Sequence, residues 1–90
     1  MTALSAETRE LLAAVRDMLD LPYPADPDPS DRRKRAALLD VRRSLTVGTL
    51  SALVDESASA NVVAAAARML REDLARCPVN YATTIREAGR

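Results

Sequence analysis

The stretch PSDRRKRAALLDVRRSLTVGTLSALV, residues 29–54, decides the fold because it reads as one uninterrupted helix. Asp28 can cap it, and Pro29 suits the first helical position, where a missing N–H costs nothing. Such a helix would be about 39 Å long, which is long for a chain of 90 residues. Gly48 weakens it by about 1 kcal/mol relative to alanine. The sequence leaves open whether the helix continues through Gly48 or whether the glycine marks close contact with another helix.

Apolar residues occupy two sides of this helix in a projection of about 100° per residue. One side consists of Leu38, Val41, Leu45 and Ala52. The second set is concentrated in the C-terminal half of the helix and consists of Leu39, Val47, Leu50, Leu53 and Val54. A helix that is apolar on two sides is buried on both. We therefore expect this half to lie either between the other two helices or between its own bundle and a second subunit. The residues predicted to make a subunit or partner contact are Leu39, Leu50, Leu53 and Val54.

The flanking segments are amphipathic at helical spacing, and prolines separate them from the central helix. Ser5 is the predicted cap of helix 1, and Ser57 or Ser59 that of helix 3. Val79 and Tyr81 are expected to fold back onto the bundle. The prediction is one domain over residues 1–90, with helix 1 at about 5–21, a stiff Pro-rich linker at 22–28, helix 2 at about 29–54, helix 3 at about 59–77 and a tail at 78–90.

The composition favours an all-α fold, specifically a three-helix bundle with a long central helix. Hydrophobic residues make up 48% of the chain, yet it has no Phe and no Trp, so Leu, Val, Ala and Met must fill the core. These residues suit closely packed helices better than a sheet. A domain of this size buries only about 60–65% of the surface that its unfolded chain exposes, a smaller share than larger domains bury, so association with a second copy or a helical partner is expected.

A basic block stands out in a chain whose net charge is zero, since residues 32–43 hold six bases and one acid. Four of the bases fall within an arc of about 100°, and their guanidiniums could grip the phosphates of a nucleic acid or another acidic partner. The competing interpretation is a solvated helix end paired with its own acids Asp28, Asp31 and Asp40. Positive charge so near a helix start opposes the macrodipole, which a negatively charged partner would offset. The four candidates are Arg32, Arg35, Arg42 and Arg43.

The sequence argues against an enzyme. It has no histidine and no Gly-rich phosphate loop, so we expect no catalytic, cofactor or metal site and no small-molecule substrate. Cys77 is the only cysteine and lies on the apolar side of helix 3, as a small core residue would. Asp73, at the edge of that side, is expected to pair with Arg76 or with an arginine of another subunit. The absence of a signal-peptide pattern and of a long apolar run predicts a cytoplasmic protein outside the membrane.

About half of the chain resembles a group of short helical proteins of actinobacteria, their phages and their integrated elements. The resemblance rests on LLAAVRDMLDLP at 11–22, on the spacing of leucine, alanine and arginine through helices 2 and 3, and on CPVNY at 77–81. It implies a mobile-element setting and carries over no site residue. The sequence thus predicts a non-catalytic interaction protein that acts through helix packing, and the alternative is a small nucleic-acid-binding protein.

Overall fold

The computed structural model describes residues 4–25, 28–55 and 59–83, and these form a three-helix, all-α fold. The predicted fold class is confirmed, with the central helix the longest of the three. The predicted boundaries differ from the observed ones by two residues or fewer. The helices are α1 (Ala6–Leu19), α2 (Pro29–Asp55) and α3 (Ala60–Arg76).

Each helix begins at a side-chain cap that accepts a hydrogen bond from a free backbone N–H of the first turn. Ser5 Oγ accepts from the Thr8 N–H at 3.1 Å, and Asp28 Oδ1 accepts from the Ser30 N–H at 2.9 Å. At α3 the cap is Ser59, whose Oγ accepts from the Val62 N–H. Ser57, the other predicted candidate, lies outside the described residues.

The buried core is built from α1 and α3, and α2 packs against it. Leu11, Ala14 and Met18 of α1 meet Ala66, Ala67 and Leu70 of α3. The alanines let the two backbones approach closely, and α1 with α3 makes the most extensive helix contact of the bundle. From α2, the half-buried Leu45, Leu50 and Leu53 pack against this cluster.

The prediction that α2 is apolar on two separate buried sides is wrong. Its buried face is centred on two polar residues, Arg42 and Thr46, and the Thr46 hydroxyl donates to the Arg42 carbonyl at 2.8 Å. Leu45 and Leu50 flank this centre, so the two apolar sets are the two edges of one face. Val41, assigned to the bundle side, is exposed. Of the two arrangements left open, packing against α1 and α3 covers Leu50 and Leu53.

Helix α2 is continuous through Gly48, and the proposed close contact at this glycine is absent. Among the residues that the structure describes, and apart from the adjoining backbone of α2 itself, no atom lies within 4 Å of a Cβ built there. Gly48 is exposed on α2 and lines a groove between α2 and α3.

Side-chain contacts fix the directions of the helices. Arg71 of α3 reaches both Glu10 and Asp17 of α1, while Arg42 joins the carbonyls of Asp17 and Cys77. Helices α1 and α3 therefore run in parallel and end side by side. Because the first half of α2 lies against those two ends, α2 runs antiparallel to both.

The linker and the tail pair with each other at this end of the bundle. The Ala25 N–H donates to the Ala82 carbonyl at 2.9 Å, and Pro24 and Thr83 form an antiparallel bridge. The Tyr81 hydroxyl donates to the Pro22 carbonyl at 2.6 Å. The predicted return of Tyr81 to the bundle is confirmed, and the tail beyond residue 83 lies outside the described residues.

Candidate functional site

Arg42 lies in the interior and not on an exposed basic face. Only 4% of its surface is accessible. Its Nε and Nη2 atoms donate to the Cys77 carbonyl at 3.1 and 2.7 Å, and Nη1 approaches the Asp17 carbonyl at 3.5 Å. Both carbonyls belong to the C-terminal ends of helices, where the backbone leaves acceptors unpaired and carries partial negative charge. The guanidinium therefore fastens α2 to the ends of α1 and α3.

Arg35, two turns before Arg42, makes similar contacts with the linker. Its Nε donates to the Pro22 carbonyl and its Nη2 to the Leu21 carbonyl, each at 3.3 Å. The guanidinium also lies 4.2 Å from the centroid of the Tyr23 ring, a cation–π geometry. Tyr23 itself is exposed and does not cover the bundle.

Tyr81 completes this group, and we refer to Arg35, Arg42 and Tyr81 as the Arg–Tyr cluster. Burial raises the pKa of the Tyr81 hydroxyl, and the positive charges of Arg35 and Arg42 oppose that rise. The hydroxyl stays protonated and can keep donating to the Pro22 carbonyl. The cluster thus joins all three helices, the linker and the tail by hydrogen bonds to backbone carbonyls.

The four arginines predicted to grip an acidic partner do not share one exposed face. The prediction is wrong for Arg42, which is buried, and Arg35 is half-buried against the linker. Arg43 is exposed and pairs with Asp40 at 2.6 Å, as the local-pairing interpretation predicts. Asp31, another acid of the local-pairing interpretation, lies 3.8 Å from Lys34. Arg32 is exposed at the start of α2, so two of the four arginines are exposed, Arg32 and Arg43, and the geometry does not favour a four-arginine phosphate grip.

Helices α2 and α3 enclose an uncharged groove of about 240 Å³, which we call the α2/α3 groove. Two of its large apolar side chains are well exposed, Val62 at 41% and Met69 at 53%. Val41, two turns before Gly48 on the same side of α2, extends the apolar surface. The lining residues are Gly48, Thr49, Ala52, Leu53, Val62, Ala65, Ala66 and Met69.

The four residues predicted as an interface are dispersed. Leu53 lines the α2/α3 groove while also packing against the core, and Leu50 packs against the core alone. Leu39 is half-buried. Val54, by contrast, is 83% exposed at the end of α2. They do not form one continuous surface.

A second groove, of about 580 Å³, runs between α1 and α3, and we call it the α1/α3 groove. Arg71 crosses the groove toward the C-terminal ends of the two helices. Its Nη1 lies 2.6 Å from Asp17 Oδ2, and its Nη2 lies 3.5 Å from Glu10 Oε2. The hydrogen bond from Arg71 lowers the pKa of the Asp17 carboxyl, and the same bond raises the pKa of Arg71. The lining residues are Ala6, Glu7, Glu10, Ala64, Ala67, Arg68, Arg71 and Glu72.

Asp73 behaves as the sequence predicts, whereas Cys77 is not part of the core cluster. Asp73 is buried and pairs with Arg76 one turn later on α3. Cys77 caps the C-terminus of α3, half-buried, with its N–H donating to the Leu74 carbonyl. Its contribution to the Arg–Tyr cluster is its backbone carbonyl, which the residue type does not indicate.

Comparison of the chain with protein-family models, with curated proteins and with solved structures finds no match in any of the three. Across residues 4–25, 28–55 and 59–83, the helices are too short or too polar to span a bilayer. Functional inference therefore rests on the surfaces themselves.

Proposed function

We propose that this chain is a small non-catalytic interaction protein that binds an amphipathic helix of another protein in the α2/α3 groove. The observation that supports this proposal is the exposure of Met69 and Val62 beside the small residues Gly48 and Ala52. Large apolar side chains next to small ones create a depression that an incoming leucine-sized side chain can fill. Burial of apolar surface contributes about 25 cal/mol per Å².

The chemistry of the groove fits a helical ligand. None of its eight lining residues is charged, and a helix presenting apolar residues at positions i, i+3, i+4 and i+7 could lie along it. Met69 has three rotatable bonds and a polarisable sulfur, so it adapts to side chains of different shapes. Gly48 leaves open space where a partner backbone could approach.

Charge introduced into the groove tests this function. Ala52→Glu and Met69→Glu each place a carboxylate at an exposed lining position, and its burial on binding would be costly. Ala36→Glu is the matched control for Ala52→Glu, because both are exposed alanines of α2 and Ala36 lies outside the groove. Circular dichroism should first show the same helix content for all three variants.

The assay is affinity capture from the native host with identification of the bound protein, followed by calorimetry with that protein purified. We expect the wild type and Ala36→Glu to bind the same protein with a negative change in heat capacity. Ala52→Glu and Met69→Glu should weaken the binding at least tenfold. Equal binding by Ala52→Glu and Ala36→Glu would show that the groove is not the contact surface.

A further inference from the structure

The α1/α3 groove lies on a different side of α3 from the α2/α3 groove, and its charges are distributed unequally between its two walls. The α1 wall carries two acids, Glu7 and Glu10. The α3 wall carries two bases, Arg68 and Arg71, and one acid, Glu72. The first wall is therefore negative and the second has a net positive charge.

We propose that this groove is a homodimer interface in which α1 of one copy packs against α3 of the other. The interface is related by a twofold axis that runs parallel to the helices. It is separate from the surface assigned to partner binding, and it does not depend on that assignment.

The two walls carry opposite net charge, and this makes them complementary under this symmetry. Rotation by 180° about an axis between two such faces places the α1 wall of each copy opposite the α3 wall of the other. Because the axis is parallel to the helices, the rotation preserves the height of each residue along it. Glu7 and Arg68, which both line the groove, then lie on walls that face Arg68 and Glu7 of the second copy. A twofold axis perpendicular to the helices would instead oppose α1 to α1 and bring Glu7 and Glu10 near their own copies.

The ion pairs within one chain leave these two residues available. Arg71 is held by Asp17 and Glu10 of its own chain. Within the part of the chain that the structure describes, neither Glu7 nor Arg68 forms an ion pair. Between the charged walls lie Ala6, Ala64 and Ala67, whose small side chains allow a second pair of helices to approach. A domain this small gains stability from such association.

Charge reversal on each wall tests the interface and its symmetry together. In homodimers, Glu7→Arg opposes two arginines at each contact, and Arg68→Glu opposes two glutamates. Each variant alone should raise the dimer dissociation constant at least tenfold, as measured by sedimentation equilibrium up to about 1 mM.

Mixed in equal amounts, the two variants should form a heterodimer. At one contact the arginine introduced at position 7 faces the glutamate introduced at position 68, and at the other contact the unchanged Arg68 faces the unchanged Glu7. Both contacts therefore join opposite charges. A fusion tag on one variant makes the heterodimer distinguishable by mass.

The mixing step separates contacts between copies from contacts within a chain. If Glu7 and Arg68 only paired within one chain, the double variant Glu7→Arg/Arg68→Glu would regain stability but the mixture of single variants would gain no association. A monomeric wild type over the whole concentration range, or a mixture without heterodimer, would overturn the proposal. Circular dichroism of each variant monitors folding, and Ala52→Glu should still dimerise because its site lies in the other groove.

Discussion

Arg42→Met removes the guanidinium from the interior and keeps an unbranched apolar side chain of similar length. Two opposing effects decide the result. Taking a positive charge out of water is costly, and replacement of a buried charge by a hydrophobic residue is neutral or stabilising in some proteins. Against this, the guanidinium makes two well-formed hydrogen bonds to the Cys77 carbonyl, at 3.1 and 2.7 Å.

The hydrogen bonds should dominate, because methionine cannot replace them. Hydrogen bonds that involve a charged group contribute about 1.5–3 kcal/mol, and an acceptor left buried without a donor costs a similar amount. The contact with the Asp17 carbonyl, at 3.5 Å, adds little. We therefore expect Arg42→Met to lower the free energy of unfolding by about 2–3 kcal/mol. In a domain of this size that corresponds to a fall in Tm of roughly 10–20 °C.

Urea denaturation followed by circular dichroism measures this change, and Arg43→Met is the matched control. Arg43 is the next residue, but it is exposed and its partner Asp40 is also exposed, so its loss should cost less than about 1 kcal/mol. Arg42→Lys should be intermediate, because an ammonium can reach a carbonyl but lacks the planar fork. If Arg42→Met is as stable as the wild type, the desolvation cost exceeds the value of the hydrogen bonds and the reasoning fails.

Three further changes have expected outcomes. Gly48→Ala should raise the free energy of unfolding by about 0.5–1 kcal/mol, because the position is exposed in mid-helix and has open space; a loss of stability in urea denaturation would contradict this. Tyr81→Phe removes the donor to the Pro22 carbonyl and should cost about 1 kcal/mol near neutral pH. Because burial raises the pKa of the Tyr81 hydroxyl, the folded state loses this proton at a higher pH than the unfolded state does. Wild-type stability should therefore fall above pH of about 10, and the fall should be smaller in Tyr81→Phe. Arg71 lowers the pKa of the Asp17 carboxyl in the folded state, so the carboxylate stabilises the fold at pH values above its ordinary pKa. This stabilisation is lost as the pH falls through the pKa of the folded state. Asp17→Asn should therefore be less stable than the wild type at pH 7, and thermal melts should show the difference in stability shrinking in acid.

The sequence predicts most of the fold because its signals are local. Ser5, Asp28 and Ser59 cap helices through atoms three or fewer residues away, and prolines separate the helical segments. Leucine, methionine and alanine at helical spacing identify the faces of α1 and α3 that form the core. Such information does not depend on where the other helices lie.

The role of the basic block could not be read from local pattern. A helical projection treats charged residues as exposed, and by that rule Arg42 joins a basic face. The available signal was its position between two apolar flanks, with Leu45 on one side and Leu39 on the other. A long side chain at the centre of a buried face requires an acceptor, and that acceptor is the carbonyl of Cys77, which is 35 residues away along the chain. No side-chain pattern marks a backbone carbonyl as a partner.

Helix direction explains why the arginines are tolerated at the start of α2. Taken alone, α2 has positive side chains near the positive end of its own dipole, which is unfavourable. In the bundle, α2 runs antiparallel to α1 and α3, so its first half lies beside the negative ends of both neighbours. Arg35 and Arg42 are seven residues apart, and they donate to carbonyls just after the end of α1 and just after the end of α3, respectively. The neighbouring carbonyls thus supply the negative partner that the sequence alone would assign to another molecule, and this removes the main electrostatic argument for binding a nucleic acid through these two residues.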